Sequence, residues 1–198
     1  MNEGPMEKGM VALGEQMERI GRRVDLVICG GTAINFLGID DRLTSDVDVM
    51  GTLEEDNQGR RKVVEMRFEP WLVEVIRRVA RDLGLHANWL NPGGAMELAY
   101  GLPEGIEDRL VTKEYGENLK AHYCSRIDLL FLKLNAAVDL GQKQESDVLA
   151  INPSEEEIEM AARWCLECTG RRVSAVRMEE YLGGLGYGEV AERVSRDG

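Results

Sequence analysis

The chain is poor in the residues that announce the commoner chemistries. Among 198 residues there are two histidines, His86 and His122, and no serine sits in a tight glycine elbow. No nucleophilic triad can be built from that set, which sets acyl transfer aside. The four cysteines, at 29, 124, 165 and 168, are too few and too irregularly spaced for the disulfide framework of a small secreted protein. Cys165-x-x-Cys168 would need two more ligands to hold zinc. Only His122 with Cys124 offers a second pair, and the motif falls inside a helical pattern, so two small apolar-like side chains are expected there.

Positive charge is also scarce. Against 36 acids there are 24 lysines and arginines, a net charge of −12. Such a field does not coat nucleic acid, so any phosphate contact must come from a local cluster. Arg60-Arg61-Lys62, Arg77-Arg78 and Arg171-Arg172 are the candidates, although runs of this kind are ordinarily solvated faces. No apolar run approaches membrane-spanning length, and no cationic leader precedes an apolar stretch at the N-terminus. No membrane association and a cytoplasmic location are expected. Internal repeats and low-complexity segments are lacking as well.

What the chain does have is an ordinary globular composition, 43% hydrophobic and 30% charged. Its most informative stretch runs from Asp25 to Met50. Leu26-Val27-Ile28-Cys29 suits a buried strand. Gly30-Gly31 follows at once, and Thr32 to Leu37 suits the first turns of a helix that Gly38 ends. Strand, glycine turn and helix N-terminus together favour an anion, because the backbone can approach a ligand closely and the first N–H groups point outward. After a polar loop, Asp46-Val47-Asp48-Val49 opens a second strand. Residues two apart share a face of a strand, so Asp46 and Asp48 project together while Val47 and Val49 enter the core. Adjacent carboxylates resist joint ionisation unless a cation sits between them. Mg²⁺ suits them, since it commonly combines one or two carboxylates with substrate phosphates.

This order of parts resembles the nucleotidyltransferase superfamily that includes DNA polymerase beta, whose signature is a diglycine-type turn followed by Asp-x-Asp. Fourteen residues separate Gly31 from Asp46. The run Arg42-x-Thr44-x-Asp46-x-Asp48 is similar to a small prokaryotic branch related to the abortive-infection toxin nucleotidyltransferases. The resemblance implies Mg²⁺-dependent transfer of a nucleoside monophosphate from a nucleoside triphosphate to an RNA, protein or small-molecule acceptor. It implies toxin-like behaviour with an antitoxin partner. Gly30, Gly31, Thr32, Arg42 and Thr44 would hold the nucleotide, and Asp46 and Asp48 the metal and the chemistry. In the same family a lysine in a Lys-Leu-x-Ala setting approaches the phosphates and a later aspartate supports it, which Lys133-Leu134-Asn135-Ala136 and Asp147 match.

The chain departs from the family in three places. Pro92 follows Trp89-Leu90-Asn91 where an acid is common, Asp139 stands where an arginine is common, and the strand around Lys120 and His122 lacks the usual third carboxylate. His122 is either a substitute base or a half-buried strand histidine. A degenerate member that binds a nucleotide or a partner without turnover is therefore the alternative. An aspartyl-phosphate phosphatase reading of Asp46-Val47-Asp48 is disfavoured, because Val49-Met50 intervenes before Gly51-Thr52 and Gly30-Gly31 would be left without a role.

Elsewhere the pattern predicts a leading helix within 1–21, a polar loop over 52–61, and a helix from Pro70 to Leu83 closed by Gly84. A short strand should end near Asn91, and a hairpin should pair 109–113 with 119–124 around Gly116. A largely apolar helix follows Ser125. A helix opened by Ser154 and three glutamates should run to Gly170, with two shorter ones at 174–182 and 188–194. The expected fold is α/β (α+β): a mixed nucleotidyltransferase-type sheet covered by helices over 1–152, with a C-terminal helical segment, 153–198, packed on that core.

Overall fold

The computed structural model of the chain describes residues 4–140, 142–168 and 173–196. Arg171-Arg172, the expected helix end at Gly170 and the first three residues lie outside them. The fold is mixed α and β, with ten α-helices and a six-stranded open sheet among the described residues. None of those helices is long and apolar enough to cross a membrane. The chain divides into two compact units, residues 1–98 with 105–125, and residues 99–104 with 126–198.

The first unit holds the whole sheet. Helix α1 (Pro5–Ile20) leads into β1 (Val24–Cys29), which passes directly into α2 (Gly30–Phe36). Strand β2 (Val47–Glu55) turns back as β3 (Arg61–Val64), and α3 (Pro70–Leu83) precedes the two-residue β4 (Leu90–Asn91). A single 3-10 turn, Gly93–Ala95, and two short helices, α4 (Met96–Tyr100) and α5 (Ile106–Arg109), lead to the hairpin of β5 (Val111–Glu114) and β6 (Leu119–Tyr123). The strand order is β3-β2-β1-β6-β5, with β4 added beside β2. β1 is central and reads VDLVIC because both its faces are covered: Leu26, Val27 and Ile28 are fully buried. It pairs antiparallel with β2 and parallel with β6. Of the α3 stripe expected from the spacing, Leu72, Val75, Ile76 and Val79 are buried, but its last member, Leu83, is exposed at the helix end, where Gly84 closes the helix in the left-handed conformation at φ 65°.

The segment expected as a loop over 52–61 is instead half of a hairpin. Its register sets Glu54 opposite Lys62 and Glu55 opposite Arg61, and opposite charges across a ladder stabilise it without any apolar alternation. Asp56 fastens the turn: its carboxylate accepts from the N–H groups of Gln58 and Arg60 and from Arg60 Nε at 2.8 Å. Those bonds hold the Asp56 carboxyl below its ordinary pKa. Arg61 also pairs with Asp108 at 3.0 Å, so this basic run is matched by nearby acids.

The second unit is helical. Its helices are α6 (Arg126–Leu140), α7 (Gln142–Ile151), α8 (Glu155–Glu167), α9 (Ala175–Gly184) and α10 (Gly188–Arg196). A full capping box, Ser154 with Glu157, starts α8. Arg126 grips Glu157 with two parallel bonds of 2.7 and 2.9 Å and reaches the carbonyls of Ile151 and Asn152. One planar guanidinium thus ties the start of α6 to the end of α7 and the start of α8.

Candidate functional site

The turn from β1 to α2 is built around the carboxylate of Asp48. Gly30 has φ 73°, a conformation that L side chains rarely adopt, and a Cβ on it would stand 2.6 Å from Asp48 Oδ2. A Cβ on Gly93 would stand 3.1 Å from Asp48 Oδ1 and 2.6 Å from Asn91 Oδ1. The carboxylate therefore lies between two glycine turns that come from opposite sides of β2. Antiparallel pairing sets Asp48 beside Cys29, and parallel pairing sets it beside Asn91. Val47 and Val49 are buried and Asp48 is half-buried on β2, while Asp46 is exposed and lies one residue before the strand begins. Asn91 and Gly93 were not among the expected site residues. The only trace of them in the sequence is the phrase Asn91-Pro92-Gly93-Gly94, which reads as a turn and carries no sign that it meets β2.

Thr32 fixes the approach to this pair. Its hydroxyl donates to the Asp46 carbonyl at 2.6 Å and lies 3.1 Å from the Thr44 hydroxyl. With its one proton committed to that carbonyl, Thr32 accepts from Thr44. Both threonines thereby join α2 to the chain entering β2. The Gly31 position is tight for the same reason, since a Cβ there would meet Thr44 Cγ2 at 2.8 Å. Arg42 lies on the loop between them. Its N–H donates to Asp40 Oδ1 and its Nε lies 3.7 Å from Asp40 Oδ2. Asn35 Nδ2 holds the loop by donating to the carbonyls of Asp40 and Arg42, both at 2.8 Å.

The donors suit a hard cation: carboxylates from Asp46 and Asp48 and the amide oxygen of Asn91, all oxygen. Two carboxylates meet the usual protein share for Mg²⁺, which keeps waters and substrate phosphates for the rest. Among the described residues no group of three or more His, Cys, Asp and Glu side chains is arranged to hold a metal ion. No third acid stands beside Asp48 on the β6 side of β1. The residue there is Cys124, fully buried, whose N–H donates to the Ile28 carbonyl at 2.9 Å.

His122 lies further down the sheet. It is level with Val27, two residues before Cys29, or roughly 7 Å along the strand. That is beyond hydrogen-bond reach of the carboxylate pair. Its Nδ1 meets Thr112 Oγ1 at 2.8 Å, while its Nε2 and the Oδ1 of Asp25 are both buried without a hydrogen-bond partner. Burial lowers the His122 pKa from its ordinary 6.5, and the Asp25 charge opposes that shift. Lys120 bonds Glu114 at 2.8 Å and is likewise removed from Asp48.

Lys133 and Asp147 belong to the second unit, on α6 and α7. Lys133 Nζ lies 2.7 Å from Asp147 Oδ2, with side-chain exposures of 14% and 2%. In the same unit Cys165 and Cys168 both direct their Sγ atoms at backbone carbonyls, those of Phe131 and Tyr100. Compared with protein-family models, with curated proteins and with solved structures, the chain matches none.

Proposed function

We propose that the chain is a cytoplasmic nucleotidyltransferase-like protein whose first unit carries the transfer site. Asp46 and Asp48 would hold Mg²⁺, and Gly30 and Gly31 would let the backbone come close to the triphosphate. The observation that carries this reading is the placement of Asp48. Glycine backbone packs close to both of its oxygens, which lie 2.6 and 3.1 Å from where a Cβ would stand on Gly30 and Gly93. A carboxylate set beside a diglycine strand-to-helix turn is what Asp-x-Asp chemistry requires. It is also the point at which the chain resembles the polymerase beta superfamily.

Asp46 and Asp48 would be the residues holding Mg²⁺, whose positive charge would offset the negative charge developing on the leaving pyrophosphate. The chain's own part is to place groups. Thr32 and Thr44 fix the Asp46 carbonyl, and Asn91 with Gly93 supports the far side of Asp48. In the transfer, an acceptor hydroxyl oxygen forms a bond to the α-phosphorus, the bond to pyrophosphate breaks, and the hydroxyl proton passes to solvent. The resemblance assigns Arg42 to the nucleotide; the roles it implies for Lys133 at the phosphates, and for Asp147 in orienting that lysine or helping the acceptor, concern residues of the second unit.

A second reading, nucleotide binding without turnover, is favoured by Lys120 and His122 standing on the strand where the resemblance would put a third carboxylate. One assay separates the two. Each α-labelled nucleoside triphosphate is incubated with Mg²⁺ and either total RNA or the protein itself. Transfer predicts a labelled product, reduced by at least about a hundredfold in Asp46→Asn and Asp48→Asn. Saturable nucleotide binding with no labelled product supports the second reading. Neither binding nor labelling overturns both. Slowed growth on expression, relieved by Asp48→Asn, tests the toxin-like role and justifies a search for an antitoxin partner.

A further inference from the structure

Two of the four cysteines meet at the end of the strand that leads into the diglycine turn. The parallel ladder of β1 and β6 sets Val27 level with His122 and Ile28 level with Tyr123. It runs one bond further, because the Cys124 N–H donates to the Ile28 carbonyl at 2.9 Å. The next position along the two strands is therefore Cys29 beside Cys124. Level residues of neighbouring strands project from the same face, and the strands run about 4.8 Å apart. That separation lies inside the Cα spacing a disulfide needs, about 4.4–6.8 Å. Neither cysteine is in a disulfide; Cys124 is fully buried and Cys29 is 6% exposed.

The Cys29 sulfur is turned the other way, toward β2. It lies 3.7 Å from the Asp48 carbonyl, and a Cβ on Gly94 would stand 2.6 Å from it. One staggered step about χ1 separates that position from the β6 side. Such a move bears on both glycine turns around Asp48. Cys29 is the residue before Gly30, and its sulfur packs against the segment that brings Gly93 to Asp48 Oδ1. All of these residues belong to the first unit.

We infer that Cys29 and Cys124 form a reversible disulfide when the chain meets a hydroperoxide, and that the bridge draws the Cys29 sulfur away from β2. The Cys29 sulfur, the one with residual exposure, takes one peroxide oxygen; the O–O bond breaks, water leaves and a sulfenic acid forms. The Cys124 sulfur then bonds to the Cys29 sulfur, the S–O bond breaks, and a second water carries off the thiol proton. Two electrons pass from the sulfurs to the peroxide. In the reducing compartment proposed for the chain, disulfides that do form are transient, catalytic or redox-sensing. The pairing stands on the sheet register; its effect on labelling rests on the nucleotide reading. Cys165 and Cys168 are the competing pair. They lie at the end of α8 with their sulfurs directed at separate carbonyls, and a bridge there would leave β1 untouched.

The test treats the full reduced chain with hydrogen peroxide, alkylates the remaining thiols and maps tryptic peptides without reductant. The expected product joins residues 24–42 to residues 121–126, disappears with dithiothreitol, and is absent from Cys29→Ala and Cys124→Ala. Residues 164–171 should stay alkylated at both cysteines. Labelling by the nucleoside triphosphate should be lost as the cross-link forms and return with dithiothreitol, while Cys124→Ala keeps its labelling under peroxide. In a chain that binds nucleotide without labelling, binding is the readout instead. Alkylation of both Cys29 and Cys124 after peroxide, or a bridge confined to 164–171, would overturn the inference. A cross-link with no change in labelling or binding would overturn its effect on the site. The peptide map of the native chain needs no variant, so it decides the pairing even where a substitution does not fold. A reduced chain that neither labels nor binds sinks the nucleotide reading alone, and the map still decides the bridge.

Discussion

Asp48 and Asp147 are both acids set among packed residues, and they are held in opposite ways. Asp147, 2% exposed, has the Lys133 ammonium 2.7 Å away. Asp48 is half-buried, and the backbone of Gly30 and Gly93 packs close to its oxygens. The first arrangement is what a fold does with a buried acid it must neutralise. The second sets an acid in close backbone packing beside the β1–α2 turn. Stability and activity should therefore respond in opposite senses at the two positions.

The largest expected effect lies at the paired acid. Lys133→Met takes the ammonium from a buried carboxylate, and breaking a pair of this kind costs about 3–5 kcal/mol. Urea denaturation should show that loss, and the double change Lys133→Met with Asp147→Leu should recover most of it. Asp48→Asn, which keeps the shape of a half-exposed group, should alter stability by less than about 1 kcal/mol while abolishing labelling. A Lys133→Met cost below about 1 kcal/mol would erase the contrast and free Lys133 for the phosphate role that the family resemblance gives it.

Next in size is Gly30→Ala. A left-handed φ costs an L residue about 1–2 kcal/mol, and here the new methyl also meets Asp48 Oδ2 at 2.6 Å. A total near 2 kcal/mol is expected, with nucleotide transfer falling by more than the stability change explains, because the carboxylate must move. Gly31→Ala is the control. It meets the Thr44 methyl and not the acid, so its damage to activity should be smaller. Equal effects at the two glycines would mean that the turn matters only as backbone.

Much of this layout is legible in the residues, and the illegible parts have specific causes. The β1 strand and the α3 stripe are local patterns, set by periods of two and 3.6 residues. The diglycine turn and the helix start at Ser154 are marked by residue type instead. The β2–β3 hairpin was missed because its register depends on Glu54–Lys62 and Glu55–Arg61 pairs, which read as a solvated loop when only apolar spacing is counted. Asn91 and Gly93 were missed as neighbours of Asp48 because parallel pairing of β4 with β2 joins segments far apart in the chain, with no turn to mark it.

The smallest effect sharpens the comparison at the far end of β1, where Asp25 and His122 each bury a polar atom that has no hydrogen-bond partner. Charged groups reach His122 from three strands: Asp25 on β1, Lys120 on its own β6 and Arg61 on β3. Burial is the largest influence and keeps the folded pKa below the ordinary 6.5. Between that depressed value and 6.5 the unfolded chain binds more protons than the folded one, so stability rises with pH across the window and is lost as pH falls. Above 6.5 both states are neutral at this residue and its contribution is flat. The slope is at most one proton, about 1.4 kcal/mol per pH unit. The acids held below their ordinary pKa, such as Glu157 against Arg126, titrate below 4.5 and leave this window clear. Melting temperature followed from pH 7 down to 5 should decline in the native chain, and His122→Gln should remove the decline. A decline that persists in that variant would locate the proton uptake elsewhere, and a buried neutral His122 would lose its support.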